Sequence, residues 1–234
     1  MPSEGCVLVT GAAGVLGRAV VAHFAARGAA LALLDRDAET LSALVREVPG
    51  MHALPLATNL LDPAAVAAAV DEAAKRFGGI AAAVHLAGGF TMGEAVHETA
   101  AATWQRMLDL NVNTMLASAA AVVPVMRRAR RGYIVNVGAI AGLRGTGRMG
   151  AYIASKSALM RLTESMSAEL REEGINVNAV LPSIIDTPAN RQSMPDADPT
   201  RWVTPAALAA VIGFLASDDA RAVHGALIPV TGLA

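Results

Sequence analysis

Aromatic side chains make up only 3% of this 234-residue chain, and Asp, Glu, Lys and Arg together only 17%. So few rings cannot build the stacking platforms that hold single-stranded nucleic acid. With 19 basic and 20 acidic residues the formal charge is -1, so no basic field draws a polyanion either. Cys6 stands alone, which excludes an internal disulfide and a cysteine-built zinc cage. Long apolar runs are also missing, although mean hydropathy is +0.44. Crossing a bilayer takes about 20 consecutive apolar residues. The stretch 110–126 is interrupted by Asn111, Asn113, Thr114, Ser118 and Pro124. The excess hydropathy comes from alanine, which suits tightly packed helices. No signal-peptide anatomy precedes the first apolar run. These absences lead us to expect a soluble, cytoplasmic protein that takes neither nucleic acid nor membrane as a partner.

What the chain does have is alternation. Short apolar runs at 5–10, 30–35, 52–56, 80–87, 132–138, 176–181 and 226–230 read as strands. Helical patterns fill 14–27, 38–47, 63–77, 101–128, 151–173 and 205–216. Alternation of this kind predicts βαβ units in a single α/β domain, 1–234. Its mainly parallel seven-stranded sheet would be doubly wound between two helical layers. Asp62-Pro63 and Thr204-Pro205 each place a capping residue before a proline at the first helical position. Gly78-Gly79 and Gly174 provide stops. Segment 182–202, rich in Pro, Asp and Ser, is the least regular, and a loop of that length reads as a substrate lid.

The first apolar run, Val7-Leu8-Val9-Thr10, leads into Gly11-Ala12-Ala13-Gly14-Val15-Leu16-Gly17 and then a helix. Glycines there permit a tight turn, and backbone N–H groups can approach a pyrophosphate at the helix's positive end. A glycine-rich turn with no ligand has the same spacing. The position between first strand and first helix favours the nucleotide reading, with Gly11, Ala13, Gly14, Val15, Leu16 and Gly17 around the phosphates. Asp35 closes the second strand, where a carboxylate can accept hydrogen bonds from an adenosine ribose and repel a 2′-phosphate. That points to NAD. Arg36 beside it leaves room for NADP, and a helix-capping aspartate is the plain alternative. Asn59 and Leu60 follow the third strand, where adenine would lie.

With these elements in place, the sequence resembles the short-chain dehydrogenase/reductase family along essentially its whole length. Tyr152-Ile153-Ala154-Ser155-Lys156 matches its Tyr-x-x-x-Lys motif at a helix start. Leu110-Asn111-Val112 falls where the family carries an asparagine in a long helix, and 132–137 looks like the strand before its active-site serine. Leu181-Pro182 followed by Thr187 resembles the segment that wraps the nicotinamide end. The resemblance implies a Rossmann-type oxidoreductase with Tyr152, Lys156 and Asn111 as catalytic residues. Tyr152 would pass the proton, Lys156 would orient cofactor and phenol, and Asn111 would hold a relay water. It further implies cofactor contacts from Ala87, Gly88, Gly89, Tyr152, Lys156, Pro182, Ile185 and Thr187. Pairing into homodimers or homotetramers would run through the helices at 101–128 and 151–173. Independently of any family, Tyr and Lys four apart share one helix face, and a neighbouring ammonium should draw the phenol below its usual pKa of about 10. A surface tyrosine beside a solvated lysine, and a buried asparagine satisfied by backbone, are the plain alternatives.

Three positions depart from the family pattern. Ala139 stands where serine is common, His85-Leu86-Ala87-Gly88 replaces Asn-Asn-Ala-Gly, and Val15 replaces a glycine. Dihydropteridine reductases within the family also have alanine in place of that serine. The run 180–205, the segment Ala87-Gly88-Gly89-Phe90 and the glycine spacing look like theirs. The chain therefore reads as an NAD-dependent oxidoreductase for a small carbonyl, alcohol or quinonoid substrate. Its rival is a cofactor-binding protein with little catalysis, motivated by Ala139. His85 and His97 lack further ligands at metal spacing, so no metal is expected, and His85 either lines the adenine side of the groove or packs.

Overall fold

A computed structural model describes residues 5–48 and 50–234. Seven parallel strands form one sheet: β1 (Cys6–Thr10), β2 (Leu31–Asp35), β3 (Ala53–Ala57), β4 (Ile80–His85), β5 (Gly132–Val137), β6 (Ile175–Pro182) and β7 (Leu227–Val230). Their order across the sheet is β3-β2-β1-β4-β5-β6-β7, so direction of travel reverses between β1 and β4. The expected doubly wound architecture is what the chain adopts. β1, β4 and β6 are buried along their whole length, as strands with both faces covered must be, and the buried Asn176 and Asn178 of β6 donate to backbone carbonyls.

The two faces separate by the strands' two-residue period. Val7, Val9, Leu31 and Leu33 face α1 (Val15–Ala25), α2 (Ala38–Glu47) and α8 (Pro205–Leu215), where Val20, Phe24, Leu44, Leu208 and Ile212 complete one core. Leu8, Ala32, Leu34 and Ile134 face the other way. They meet Val66 and Val70 of α3 (Pro63–Phe77), Val122 and Met126 of α5 (Thr114–Ala129), and Leu170 of α6 (Gly150–Leu170). Asp62 and Thr204 cap α3 and α8 through their side chains with proline next in line, and Gly78 ends α3 in the left-handed region. Pro55 and Pro229 sit in β3 and β7, the two border strands.

Two expectations need correction. The helix read over 101–128 is interrupted: α4 (Ala101–Leu108) and α5 are joined by a π-helical turn, Asp109–Asn113. Such turns widen the coil by one residue and recur at functional sites. By length and composition alone the run Ala101–Ala129 is apolar enough to cross a membrane. In this fold it packs on α3, β4, β5 and α6. The second correction concerns 182–202, which is less irregular than read. It holds α7 (Pro188–Ser193) and a 3₁₀ turn, Pro199–Arg201, and a parallel bridge between Ile185 and Val203 staples its base. Thr187 caps α7 by accepting from Asn190 N at 3.2 Å, with Pro188 at the first helical position. This is the same device as at Asp62-Pro63.

Candidate active site

Strand order reverses at the carboxyl ends of β1 and β4, which opens a crevice there in sheets of this kind. Thr10 splices the two ends: its hydroxyl accepts from Leu86 N at 3.2 Å and Ala87 N at 3.5 Å. Gly11 follows at φ 66°, and a Cβ there would lie 2.9 Å from Ala87 N. A Cβ on Gly17 would stand 2.2 Å from Gly11 O, so the turn and the first turn of α1 touch backbone to backbone. Gly14 caps α1 with no side-chain bond. Among the described residues nothing accepts from the N–H groups of Val15, Leu16 and Gly17. Three free donors at an uncapped helix start fit an anionic phosphate.

Asp35 is half-buried at the end of β2 and accepts from Ala13 N at 3.1 Å and Arg36 N at 2.7 Å. A carboxylate offers about four lone-pair sites, so two remain for hydroxyls. Asn59 Oδ1 accepts from Leu61 N, forming the turn before α3, whereas the Leu60 side chain is buried in the core, leaving only its backbone to the groove. Thr187 is committed as an acceptor at the cap of α7 and retains its hydroxyl hydrogen. Pro182 ends β6, and Ile185 lies on the bridge to Val203.

Beside the same crevice, the π turn buries Asn111 and aims it at the backbone after β4. Its Nδ2 donates to Gly89 O at 3.0 Å and to Ser155 Oγ at 3.0 Å, and its Oδ1 accepts from Gly89 N at 2.9 Å. Backbone satisfaction, the plain reading of this residue, is therefore present, with one Oδ1 lone pair left over. Lys156 is only 7% exposed and donates to Val137 O at 2.8 Å. A Cβ on Gly88 would lie 2.8 Å from Asn111 Oδ1 and 3.4 Å from Lys156 Nζ. A side chain at this position would press on both polar groups.

Tyr152 packs edge-to-face on Phe90, ring centroids 4.9 Å apart. The expectation that an ammonium draws this phenol down is not met. Burial pushes Tyr152 up to about 12, and burial likewise pulls Lys156 down to about 8. Folded-state depression of a lysine means the folded chain releases that proton before the unfolded one. Between about pH 8 and 10.5 the Lys156 contribution to stability therefore rises with pH. Denaturation curves should show wild type gaining on Lys156→Met across that window; a pH-independent difference would contradict burial of the ammonium.

Ala139 is buried at the carboxyl end of β5 and carries no donor. His85 settles into the core: its ring nitrogens meet Asn136 Oδ1 at 2.8 Å and Ser118 Oγ at 2.9 Å, and burial lowers it to about 4. It packs and does not line the groove. Thr10, Ser155 and Phe90 went unassigned in the sequence reading. Thr10 precedes the glycine turn and Phe90 follows Gly89, so adjacency was the available signal.

A family model described as short chain dehydrogenase matches residues 5–198. Levodione reductase of Leifsonia aquatica is 30% identical over 97% of this chain and 92% of its own length. A solved levodione reductase superposes with a TM-score of 0.89, covering 97% of this chain and 96% of that one at 30% identity. A protein of Xanthobacter autotrophicus named inactive 2-(S)-hydroxypropyl-CoM dehydrogenase 2 is 38% identical over 88% of this chain and 94% of its own. A 3-oxoacyl-[acyl-carrier protein] reductase of Brucella melitensis, solved with bound NAD, superposes at TM-score 0.87 with 31% identity, covering 98% and 90%.

Proposed function

Because the chain belongs to the short-chain dehydrogenase family of oxidoreductases, we propose that it transfers hydride between NAD(H) and a small carbonyl, alcohol or quinonoid substrate, with Tyr152 handling the proton. The observation that carries this is Gly88, which brings Asn111 Oδ1 and Lys156 Nζ together against one face of its backbone at the strand-reversal crevice. Val15, Leu16 and Gly17 offer their free N–H groups to the pyrophosphate, and Asp35 offers its spare lone pairs to the adenosine ribose. When bound, the nicotinamide supplies or accepts the hydride. Tyr152, held protonated by burial, donates its phenolic proton to the substrate oxygen during reduction. Lys156 keeps a positive charge beside it, and Asn111 uses its remaining lone pair toward a relay water. Pro182, Ile185 and Thr187 stand at the base of 182–202, which closes over the substrate and excludes water. Exposed Leu108 and Leu116, on α4 and α5, suit pairing with a second copy.

The test is spectrophotometric: NADH oxidation against ketones, quinones and a quinonoid dihydropterin, with Tyr152→Phe and an enzyme-free mixture as controls. Wild-type turnover no faster than the enzyme-free rate on every substrate would sink the enzymatic reading. NADH should bind more tightly than NADPH, given the Asp35 carboxylate.

A second reading, a cofactor-binding protein without appreciable turnover, is favoured by Ala139 and by the relative whose name calls it inactive. The two readings part at one substitution. A missing oxyanion donor costs about 10²–10³ in rate where the chemistry needs it. We expect Ala139→Ser to leave turnover of the preferred substrate unchanged. A gain on the order of 10² would mean that a serine-dependent mechanism had merely been disabled.

A further inference from the structure

A cavity of about 270 Å³ lies beside the Phe90–Tyr152 pair, between the segment after β4, helix α4 and the start of α6. We propose that it recognises the carboxylate of a small oxo or hydroxy acid, through Arg106 and Arg148. The inference rests on the reading above for the identity of the reacting carbon, whereas the anion site itself stands on its own observations.

Both walls of the cavity run along the chain into the Phe90–Tyr152 contact. Thr91 and Met92 continue directly from Phe90, and Ala151 directly precedes Tyr152. An acid seated there would be one residue along the chain from Tyr152 on one wall and from Phe90 on the other. Three charged residues line it: Arg106 from α4, Arg148 ahead of α6, and Glu94. Among the described residues none of the three forms an ion pair, so the cavity gathers charges that do not neutralise one another. Arg106 makes no side-chain hydrogen bond among the described residues. Arg148 is fixed in place instead: its Nη1 donates to Gly93 O at 2.9 Å, and Gly93 N donates to its carbonyl at 2.9 Å. It holds φ at 62°, a region that side-chain-bearing residues rarely occupy and that clusters at ligand sites. A guanidinium has five donors, and this tether occupies one.

Two arginines against one glutamate leave a formal charge of +1 in the cavity. That matches a monoanion. A doubly charged phosphate would bring excess charge toward Glu94, while the planar carboxylate fits the fork of a guanidinium. The volume is at the small end for ligand pockets, so the acid is small. Met92 and Phe90 are 60% and 56% exposed and offer apolar surface for its carbon skeleton.

Benzoate and benzamide share shape and differ in charge, so calorimetry with this pair isolates the site without requiring turnover. Charge-assisted bonds should make benzoate bind about 10- to 100-fold more tightly than benzamide. Arg106→Gln, exposed on α4 and free of other bonds, should erase that preference without lowering the melting temperature. Arg148→Gln should do the same, with some loss of stability from the lost Gly93 tether. Equal affinity for the two probes, or a preference that survives both substitutions, overturns the site. A benzoate preference abolished by Arg106→Gln in a chain that oxidises no NADH supports the anion site and sinks the enzymatic reading, so the two failures are distinguishable.

Discussion

Replacing Tyr152 by Phe is expected to lower kcat for NADH-dependent reduction by about 10²–10⁴-fold, the range for a positioned proton donor. The phenyl ring is retained, so the edge-to-face contact with Phe90 at 4.9 Å persists and the fold should hold. Neither Asn111 nor Lys156 bonds the phenol oxygen among the described residues, so their arrangement around Gly88 should also persist. Affinity for NADH, followed by fluorescence titration, should stay near that of wild type. The loss should therefore appear in kcat far more than in binding. A variant that turns over at the wild-type rate would remove Tyr152 from the chemistry and leave only its packing role.

The second large effect is structural and is expected at Gly17. A methyl group there would stand 2.2 Å from Gly11 O and 2.5 Å from Ala12 O, both backbone atoms that no rotamer change can move. Gly17→Ala must push α1 off the turn between β1 and its own first residues. Overpacking of this kind costs about 1–3 kcal/mol. In a chain of this length each kcal/mol lowers Tm by about 2–4 °C. The N–H groups of Val15, Leu16 and Gly17 would move together, so NADH binding should fall with stability. Gly145, with nothing within 4 Å of the corresponding position, is the control. Gly145→Ala should stay within about 0.5 kcal/mol of wild type. Equal melting temperatures for the Gly17 and Gly145 variants would refute the close backbone contact.

The strands, most helix boundaries and the glycine turn could be read from sequence because each depends on residues close together in the chain. Asp62-Pro63 sets its helix start locally, and the alternation of Val7, Leu8 and Val9 between two cores is local as well. What stayed hidden depends on distant partners. The π turn at Asp109–Asn113 has no compositional signature, since it is Gly89 backbone and Ser155 that hold Asn111 in position. The behaviour of Tyr152 and Lys156 departs from the sequence expectation for the same reason. Helical spacing puts them on one face, yet the Val137 carbonyl claims the ammonium, and burial rather than charge governs the phenol. Arg106 and Arg148 lie on different elements and meet only across a cavity. The helix in 182–202 is a different case, since Thr187-Pro188 marks its start locally.

A parallel sheet still has two open borders, and the prolines in them have a consequence for how this protein behaves when crowded. Leu31 N bonds His52 O and Thr58 N bonds Asp35 O, so even-numbered residues of β3 turn their peptide groups inward and Pro55 turns outward. Along β7, Ala179 N bonds Ala226 O and Ser183 N bonds Val230 O, which likewise leaves Pro229 facing out. Each ring removes a donor from the middle of a short exposed row that a stray strand would otherwise zip onto. Both rims are thereby poor templates for fibre growth, a safeguard well suited to a chain so rich in alanine and so sparing with charge.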